Sequence, residues 1–416
     1  MLVFIINKKG TPLMPCDSRK ARILLQQGKA KVIKTEPFTI KLLYGSTGYK
    51  QKLTLGIDSG SDVIGSAVSD NDGNIIYCSE VKVRNDIADK MKRRSSYRRN
   101  RRLRKTRYRQ PRWLNRKNSI RKDRFSPTMT SKIHSHLKEI NYVKTILPIK
   151  RIIIETGSFD PHALKNPEVL NNKILYQQGI NYGFENTKAY VLDRDGHQCQ
   201  YCKGKSKEKR LHAHHIVYRS NGGSNEESNL LTLCKQCHDK VHSGEIVLKN
   251  KGKRKGTLRH ATQMNSIRIQ LFKRIPEAEE TYGYITKAHR EAMGIGKEHY
   301  VDAGVIASCG REIRFKNDSI IMKRSVADGD YQQNKGVRSQ MKMPTGKIMG
   351  LRKFDKVKYR GKEYFIRGRM SIGYCNLMGI DGKQIKMRPM VKMDRIKRIG
   401  ARKTWLMEER IMSSPT

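Results

Sequence analysis

Two Cys-x-x-Cys pairs, Cys199/Cys202 and Cys234/Cys237, constrain this chain more than any other feature. Each pair can turn one tight knuckle, and together they present four thiolates to one tetrahedral Zn²⁺. A plain zinc ribbon spaces its pairs by only ~15–20 residues. Here 31 residues intervene, and they hold His214, His215, a Gly222-Gly223 pair suited to a hairpin and Asn229, with His238 directly after Cys237. The segment therefore combines metal-ligand types with a candidate general base. Lys and Arg number 87 against 38 acidic residues, a formal charge of +49 on 416 residues. Such a chain repels itself unless a polyanion neutralises it, and binding through phosphates should weaken steeply with salt. Nucleic acid is the expected partner. Eight cysteines, four of them in the zinc pattern and four scattered, argue for a reducing compartment rather than a disulfide framework. The opening MLVFII is too short for a secretory signal, and no run approaches membrane-spanning length, which reads as a cytoplasmic, prokaryotic-type protein.

The order from Cys199 to His242 resembles the HNH endonucleases, whose ββα-metal unit carries a His pair on a strand, an Asn in the loop and a His on the helix. The resemblance implies that His215 is the general base, that His214 and His238 hold one Mg²⁺, and that Asn229 braces the loop. The family more often has Asp at the position of His214. His212 and His242 lie close enough in sequence to compete as ligands, so those two stay open.

From Lys52 the chain alternates apolar and polar residues through three strands of a β-meander, with Asp58 ending the first and Gly60 close by. The run RIIIE makes a buried strand ending in Glu155, and HYVDAGVIA reads as a helix that places His299 and Asp302 on one face. This sequence of motifs resembles RuvC nucleases of the RNase H fold. The resemblance implies that Asp58, Glu155, His299 and Asp302 converge to hold two Mg²⁺ ions about 4 Å apart for in-line hydrolysis, because hard Mg²⁺ prefers carboxylate oxygens.

Eighteen Lys or Arg crowd residues 90–124, among them Arg93, Arg94, Arg98, Arg99, Arg101, Arg102, Arg104, Arg107 and Arg109. A helix charged on every side cannot bury a stripe in a protein core, so it runs through solvent or along a polyanion. With the Pro12-Leu13-Met14-Pro15 tetrad, this stretch resembles the IscB family, transposon-encoded RNA-guided nucleases related to the type II CRISPR effectors. The fold expected is α/β and multidomain: an RNase H-like (RuvC) core split in three, an inserted HNH domain, an Arg-rich bridge helix and a small C-terminal β-barrel. Residues 1–50 form the PLMP-type module, 51–88 the first RuvC segment, 89–124 the bridge helix, and 125–180 the second RuvC segment with connecting helices. Residues 181–250 form the HNH domain with its zinc knuckles, 251–316 the third RuvC segment, 317–345 a linker and 346–416 the barrel. By the resemblance the barrel reads a DNA motif beside the target, and a barrel that binds RNA is its alternative. Only 26 residues separate the basic stretch from the strand ending in Glu155, too few for the helical lobe of the CRISPR effectors, so a long structured guide RNA is expected to supply that bulk. The reading is a monomeric protein in a ribonucleoprotein, cutting the guide-paired strand with HNH and the displaced strand with RuvC. Its rivals are a homing or junction-resolving nuclease without RNA and a catalytically inert RNA-binding structural protein.

Overall fold

The computed structural model describes residues 2–45, 48–103, 125–221, 223–248, 258–327 and 346–412, with the side chains of residues 101–103 and 220 outside that set. Of the basic run, Arg104, Arg107 and Arg109 and the side chains of Arg101 and Arg102 therefore lie outside the described residues. The chain divides into two compact units, Met1–Ser158 with Gln263–Thr416, and Phe159–Thr262.

Unit 1 begins with β1 (Leu2–Ile6), β2 (Cys16–Asp17), α1 (Ser18–Gln26), β3 (Ala30–Thr35) and β4 (Phe38–Leu42). The strands pair in the order β2-β1-β4-β3 over a core of Val3, Ile5, Leu13 and Ile40. Leu13 is anchored there by its N–H, which donates to the Ile5 carbonyl. The meander follows as β5 (Leu53–Asp58), β6 (Val63–Ser69) and β7 (Asn74–Lys82), all antiparallel. Helix α2 (Ile87–Leu103) has no apolar stripe, and the side chains of Arg93, Arg94, Arg98 and Arg99 are exposed. Helix α3 (Pro127–Lys144) opens on Ser126, whose hydroxyl accepts from the Met129 N–H, with Pro127 in the first turn where no donor is missed. It leads into β8 (Ile149–Thr156).

Unit 2 contains α4 (Pro161–Lys165), α5 (Thr187–Arg194), the hairpin β9 (Leu211–His215) and β10 (Leu230–Cys234), and α6 (Lys235–Ser243). It starts at Phe159, earlier than the residue 181 expected for the inserted domain, and Lys165 pairs with Glu227 at 3.5 Å within it.

The chain then continues with α7 (Arg259–Arg274), β11 (Glu279–Tyr282), α8 (Gly283–Ala292), α9 (His299–Ser308), β12 (Arg314–Phe315) and β13 (Ser319–Ser325). The C-terminal strands are β14 (Lys356–Tyr359), β15 (Lys362–Arg369), β16 (Tyr374–Met378), β17 (Gln384–Ile385), β18 (Val391–Lys392), β19 (Lys397–Gly400) and β20 (Trp405–Ile411). An eight-stranded sheet runs β11-β8-β5-β6-β7-β13-β20, with β12 also on β7. Its strands β5, β8 and β11 are parallel, as are β7 and β13.

Two expectations need correction. Residues 317–345 are not linker throughout, since Ser319–Ser325 pairs in parallel with β7. Nor does the C-terminal region form one barrel over 346–416. Residues 405–411 leave it to pair antiparallel with β13, and the remaining strands make a sheet β17-β16-β15-β14-β19, with β18 on β16, that no pairing closes among the described residues. Each strand joins a three-residue apolar run to charged residues, and its partners lie far away in sequence, so nothing local marks the pairing.

Strand alternation divides the core. Leu53, Leu55 and Ile57 face α3 and α7, packing with Ile133, Ile140, Ile267 and Leu271. Gly56, Gly65 and Ala67 face α9, whose residues from Tyr300 to Ser308 are all buried, as a helix apolar on most of its sides must be. On the α3 face, Glu139 is fully buried and takes both carboxylate oxygens to Lys323 Nζ at 2.7 Å, with Ser66, Ser79 and Tyr77 donating to the same group. Burial works against both charges, and Lys323 with the hydroxyls keeps the Glu139 carboxyl below its usual range.

Candidate functional sites

The α9 face of the sheet assembles an acidic cluster. Asp58 ends β5 and Glu155 stands in register beside it on β8. Helix α9 adds His299, whose Nδ1 lies 2.6 Å from Asp58 Oδ2, and Asp302 one turn on. Two glycines permit this approach. A Cβ on Gly65, which pairs with Asp58, would lie 2.0 Å from the His299 carbonyl oxygen, and one on Gly56 would lie 2.3 Å from that of Ala303. All four residues singled out from sequence thus meet at one end of the sheet.

The carboxylates crowd one another. Burial, with Asp58 and Asp302 nearby, pushes Glu155 up to about 7 against the hydrogen bond from Thr286. Burial and Asp58 likewise raise Asp302. His299 is raised chiefly by its hydrogen bond to Asp58. Glu155 Oε2 is buried without a hydrogen-bond partner, and Asp302 Oδ1 lies 2.8 Å from Arg290 Nε without a hydrogen-bonding angle. Crowded, mutually repelling carboxylates, one of them with an unbonded buried oxygen at Glu155 Oε2, are what hard divalent cations relieve, so the donor set fits Mg²⁺. Sequence reasoning missed two neighbours. Arg290 of α8 counters Asp302, and Glu80 on β7, raised by burial, stands beside His299. Glu80 sits mid-strand in a regular alternation, and no local pattern marks it.

Unit 2 holds two further clusters. The sulfurs of Cys199, Cys202, Cys234 and Cys237 lie within 4.8 Å of one another, and Cys202 and Cys234 are 3.9 Å apart. About 3.8 Å is expected between thiolates around a tetrahedral Zn²⁺ with ~2.3 Å bonds, so the four residues fit structural zinc.

His214, His238 and His242 bring one ring nitrogen each within the same 4.8 Å limit. His238 and His242 share a face of α6 at i, i+4, and β9 turns His214 toward them, its ring 5.1 and 5.2 Å from theirs. Burial and the neighbouring imidazoles hold His214 down at about 4, keeping it neutral, as ligation requires. The third member is therefore His242. His212 stacks on His238 at 5.0 Å between ring centroids but is not part of the triad. Three imidazoles make a nitrogen set, which suits Zn²⁺, Co²⁺ or Ni²⁺ better than the oxygen-seeking Mg²⁺ expected from sequence.

His215, next on β9, points the other way, its Nε2 2.9 Å from Asn225 Oδ1, an oxygen that also accepts from Arg219 Nε at 3.0 Å. Arg219 Nε also lies 3.3 Å from Nε2; in the tautomer that donates Nε2–H to Asn225, Nδ1 is the basic nitrogen, and in the other Nε2 accepts from Arg219. Asn229 accepts from the Val217 N–H at 2.9 Å and donates to the carbonyls of Val217 and Ser224, tying down the loop after β9. His214, His215, Arg219, His238 and His242 line a cleft of about 290 Å³. A roomier cleft of about 630 Å³, beside Lys34 and Phe354, contains none of these residues, so volume alone does not locate the chemistry.

Residues 3–179 match the RRXRR protein family, and Arg98 to Arg102 spell that pattern with Asn100 in the centre. Residues 199–244 match the HNH endonucleases. Anaredoxin of Nostoc sp. is 35% identical over 65 residues, 15% of this chain and 83% of anaredoxin. A mutS homologue of Acanthamoeba polyphaga mimivirus, named for DNA mismatch repair, is 29% identical over 107 residues, 21% of this chain and 10% of that protein. Among solved structures, Streptococcus thermophilus Cas9 in complex with the AGAA PAM aligns over 58% of this chain and 32% of its own, at 12% identity and a TM-score of 0.34. The same Cas9 with the GGAA PAM gives 59%, 32%, 14% and 0.35. The chain spans about a third of the length of those Cas9 chains. Over the segment it shares with anaredoxin the chain belongs to that protein's family, and residues 199–244 make it a carrier of an HNH endonuclease domain.

Proposed function

We propose that the protein is an RNA-guided DNA endonuclease of the IscB type, with the unit 2 histidines cutting the guide-paired strand and a RuvC-like Asp58–Glu155–His299–Asp302 site cutting the displaced one. One observation carries this reading: a single chain holds two separate sets of candidate metal donors, one in each compact unit, and two sites suit two strands. The charge of +49 and the exposed arginines of α2 call for a polyanion beyond the target itself, which a guide RNA supplies.

In the HNH site, His215 takes the proton of the attacking water while Asn225 and Arg219 hold its ring at Nε2, and Asn229 keeps the loop in place. A divalent ion held by His214, His238 and His242 would offset charge on the scissile phosphate and the leaving oxygen. In the other site, Asp58, Glu155 and Asp302 are the carboxylates that would hold Mg²⁺. His299, held by Asp58, handles a proton beside them.

The test is strand-labelled cleavage by the chain with its copurifying RNA. Asp58→Ala should cut only the paired strand and His215→Ala only the displaced one. Loss of both cuts from either change overturns the two-site assignment, and full activity after RNA removal overturns RNA guidance in favour of a protein-guided nuclease.

A further inference from the structure

The loop after β9 is built to hold one side chain in place. The Tyr218 carbonyl accepts from the N–H of Asn221 at 2.9 Å and of Gly223 at 3.0 Å. The chain passes itself so closely there that a Cβ on Gly223 would lie 1.8 Å from the Val217 carbonyl oxygen. Asn229 pins both sides of this crossing, at Val217 and at Ser224. Arg219 projects from the loop. Its single Nε–H is shared between Asn225 Oδ1 at 3.0 Å and His215 Nε2 at 3.3 Å, which fixes the guanidinium beside the candidate base. The residue is exposed, and among the described residues the four donors on its two terminal nitrogens have no partner. Arg194 of the same unit, by contrast, sets Nε and one terminal nitrogen on the Asp195 carboxylate.

Arg219 lines the cleft of about 290 Å³ that also holds His214, His238 and His242, and no acidic residue lines it. Nothing in that lining offsets the charge of the guanidinium, so the cleft suits an anion. A planar fork with Nε already anchored presents its remaining donors in the spacing of two phosphate oxygens, and such charge-assisted pairs are about twice as strong as neutral ones. We propose that Arg219 is a catalytic residue of the HNH cleft, binding the scissile phosphate through its terminal nitrogens while Nε stays on Asn225. The inference rests on the reading of this cleft as the one cutting the guide-paired strand. It assigns Arg219 the charge that builds up on the phosphate oxygens as the water attacks, next to the imidazole that takes the water's proton.

The test uses the full chain with its copurifying RNA. Arg219→Ala should lower kcat for the paired-strand cut on the order of 10²-fold, move KM little, and leave the displaced-strand cut and the four-thiolate zinc unchanged. Added methylguanidinium should restore part of the Arg219→Ala rate, and Arg219→Lys, which keeps the charge without the fork, should fall between the two. Contact with the phosphate itself is read without cutting, in an Asp58→Ala, His242→Ala background that leaves Arg219, His215 and Asn225 in place. There the target carries either an ordinary phosphate or a neutral methylphosphonate at the paired-strand cut position. Arg219→Ala should speed dissociation of the phosphate target by about tenfold and leave that of the methylphosphonate target unchanged. Equal effects on both targets, or no effect on either, overturn the phosphate contact, as does a wild-type paired-strand rate in Arg219→Ala while His215→Ala abolishes that cut. If His215→Ala leaves the paired-strand cut intact, the reading of the cleft fails and the role of Arg219 falls with it.

Discussion

Replacing Gly65 with Ala adds one methyl group and should cripple the acidic site. That Cβ would sit 2.0 Å from the His299 carbonyl oxygen and 2.6 Å from its carbon, where ordinary contact starts at 3.4 Å. The obstacle is helix backbone and cannot swing aside, so α9 must lift by about 1 Å at its first turn, where His299 and Asp302 reach Asp58. A misplacement of that size costs on the order of 10²-fold in rate, and overpacking costs about 1–3 kcal/mol of stability. Gly304, two residues beyond Asp302 on the same helix, makes the control. A Cβ there would meet Ile75 Cδ1 at 3.6 Å, an ordinary contact. Gly304→Ala should therefore stabilise the protein by roughly 0.5–1 kcal/mol through helix propensity, with cutting unchanged. Strand-labelled cleavage with denaturant melting of both variants reads the comparison. A folded Gly65→Ala protein that cuts the displaced strand at the wild-type rate would refute the role given to this approach.

Three other perturbations probe the core and the second site. His136 is fully buried and burial holds it down at about 4, against 6.5 when unfolded, so the stability it supports is complete above about pH 6.5 and lost as pH falls through 4. The difference corresponds to about 3 kcal/mol, and His136→Gln should flatten that part of the stability–pH curve; an unchanged slope refutes it. Glu139→Gln leaves the Lys323 ammonium buried without its counter-charge and should cost about 3–5 kcal/mol in denaturant unfolding, whereas Glu139→Leu with Lys323→Met should come closer to neutral. If the single variant unfolds like wild type, the pair is not structural. At the HNH site, Co²⁺ or Ni²⁺ should support paired-strand cutting better than Mg²⁺, and His242→Ala should abolish that cut while four-thiolate zinc is retained by elemental analysis. Full cutting in Mg²⁺ alone by His242→Ala rules out the triad.

What the sequence made legible follows how locally each feature is encoded. Alternation along residues 53–58 determines which face Asp58 occupies, and the i, i+3 spacing of His299 and Asp302 determines that they share a helix face. The zinc knuckles are legible for the same reason, each ligand pair being four residues long. His242 was harder, because 212 and 242 both lie near enough in sequence and only the antiparallel register of β9 with β10 turns His214 toward α6. Strands β13 and β20 were illegible in kind. The Ile321–Ser79 pairing joins residues 242 apart, and nothing near Ser319 announces a partner in the meander. The same holds for Gly65: as a sequence it is a glycine in a strand, which weakens pairing, and its value appears only when a helix from residue 299 lands on it. Motifs named the ligands of the acidic site, but its precision comes from small residues whose partners lie more than two hundred positions away.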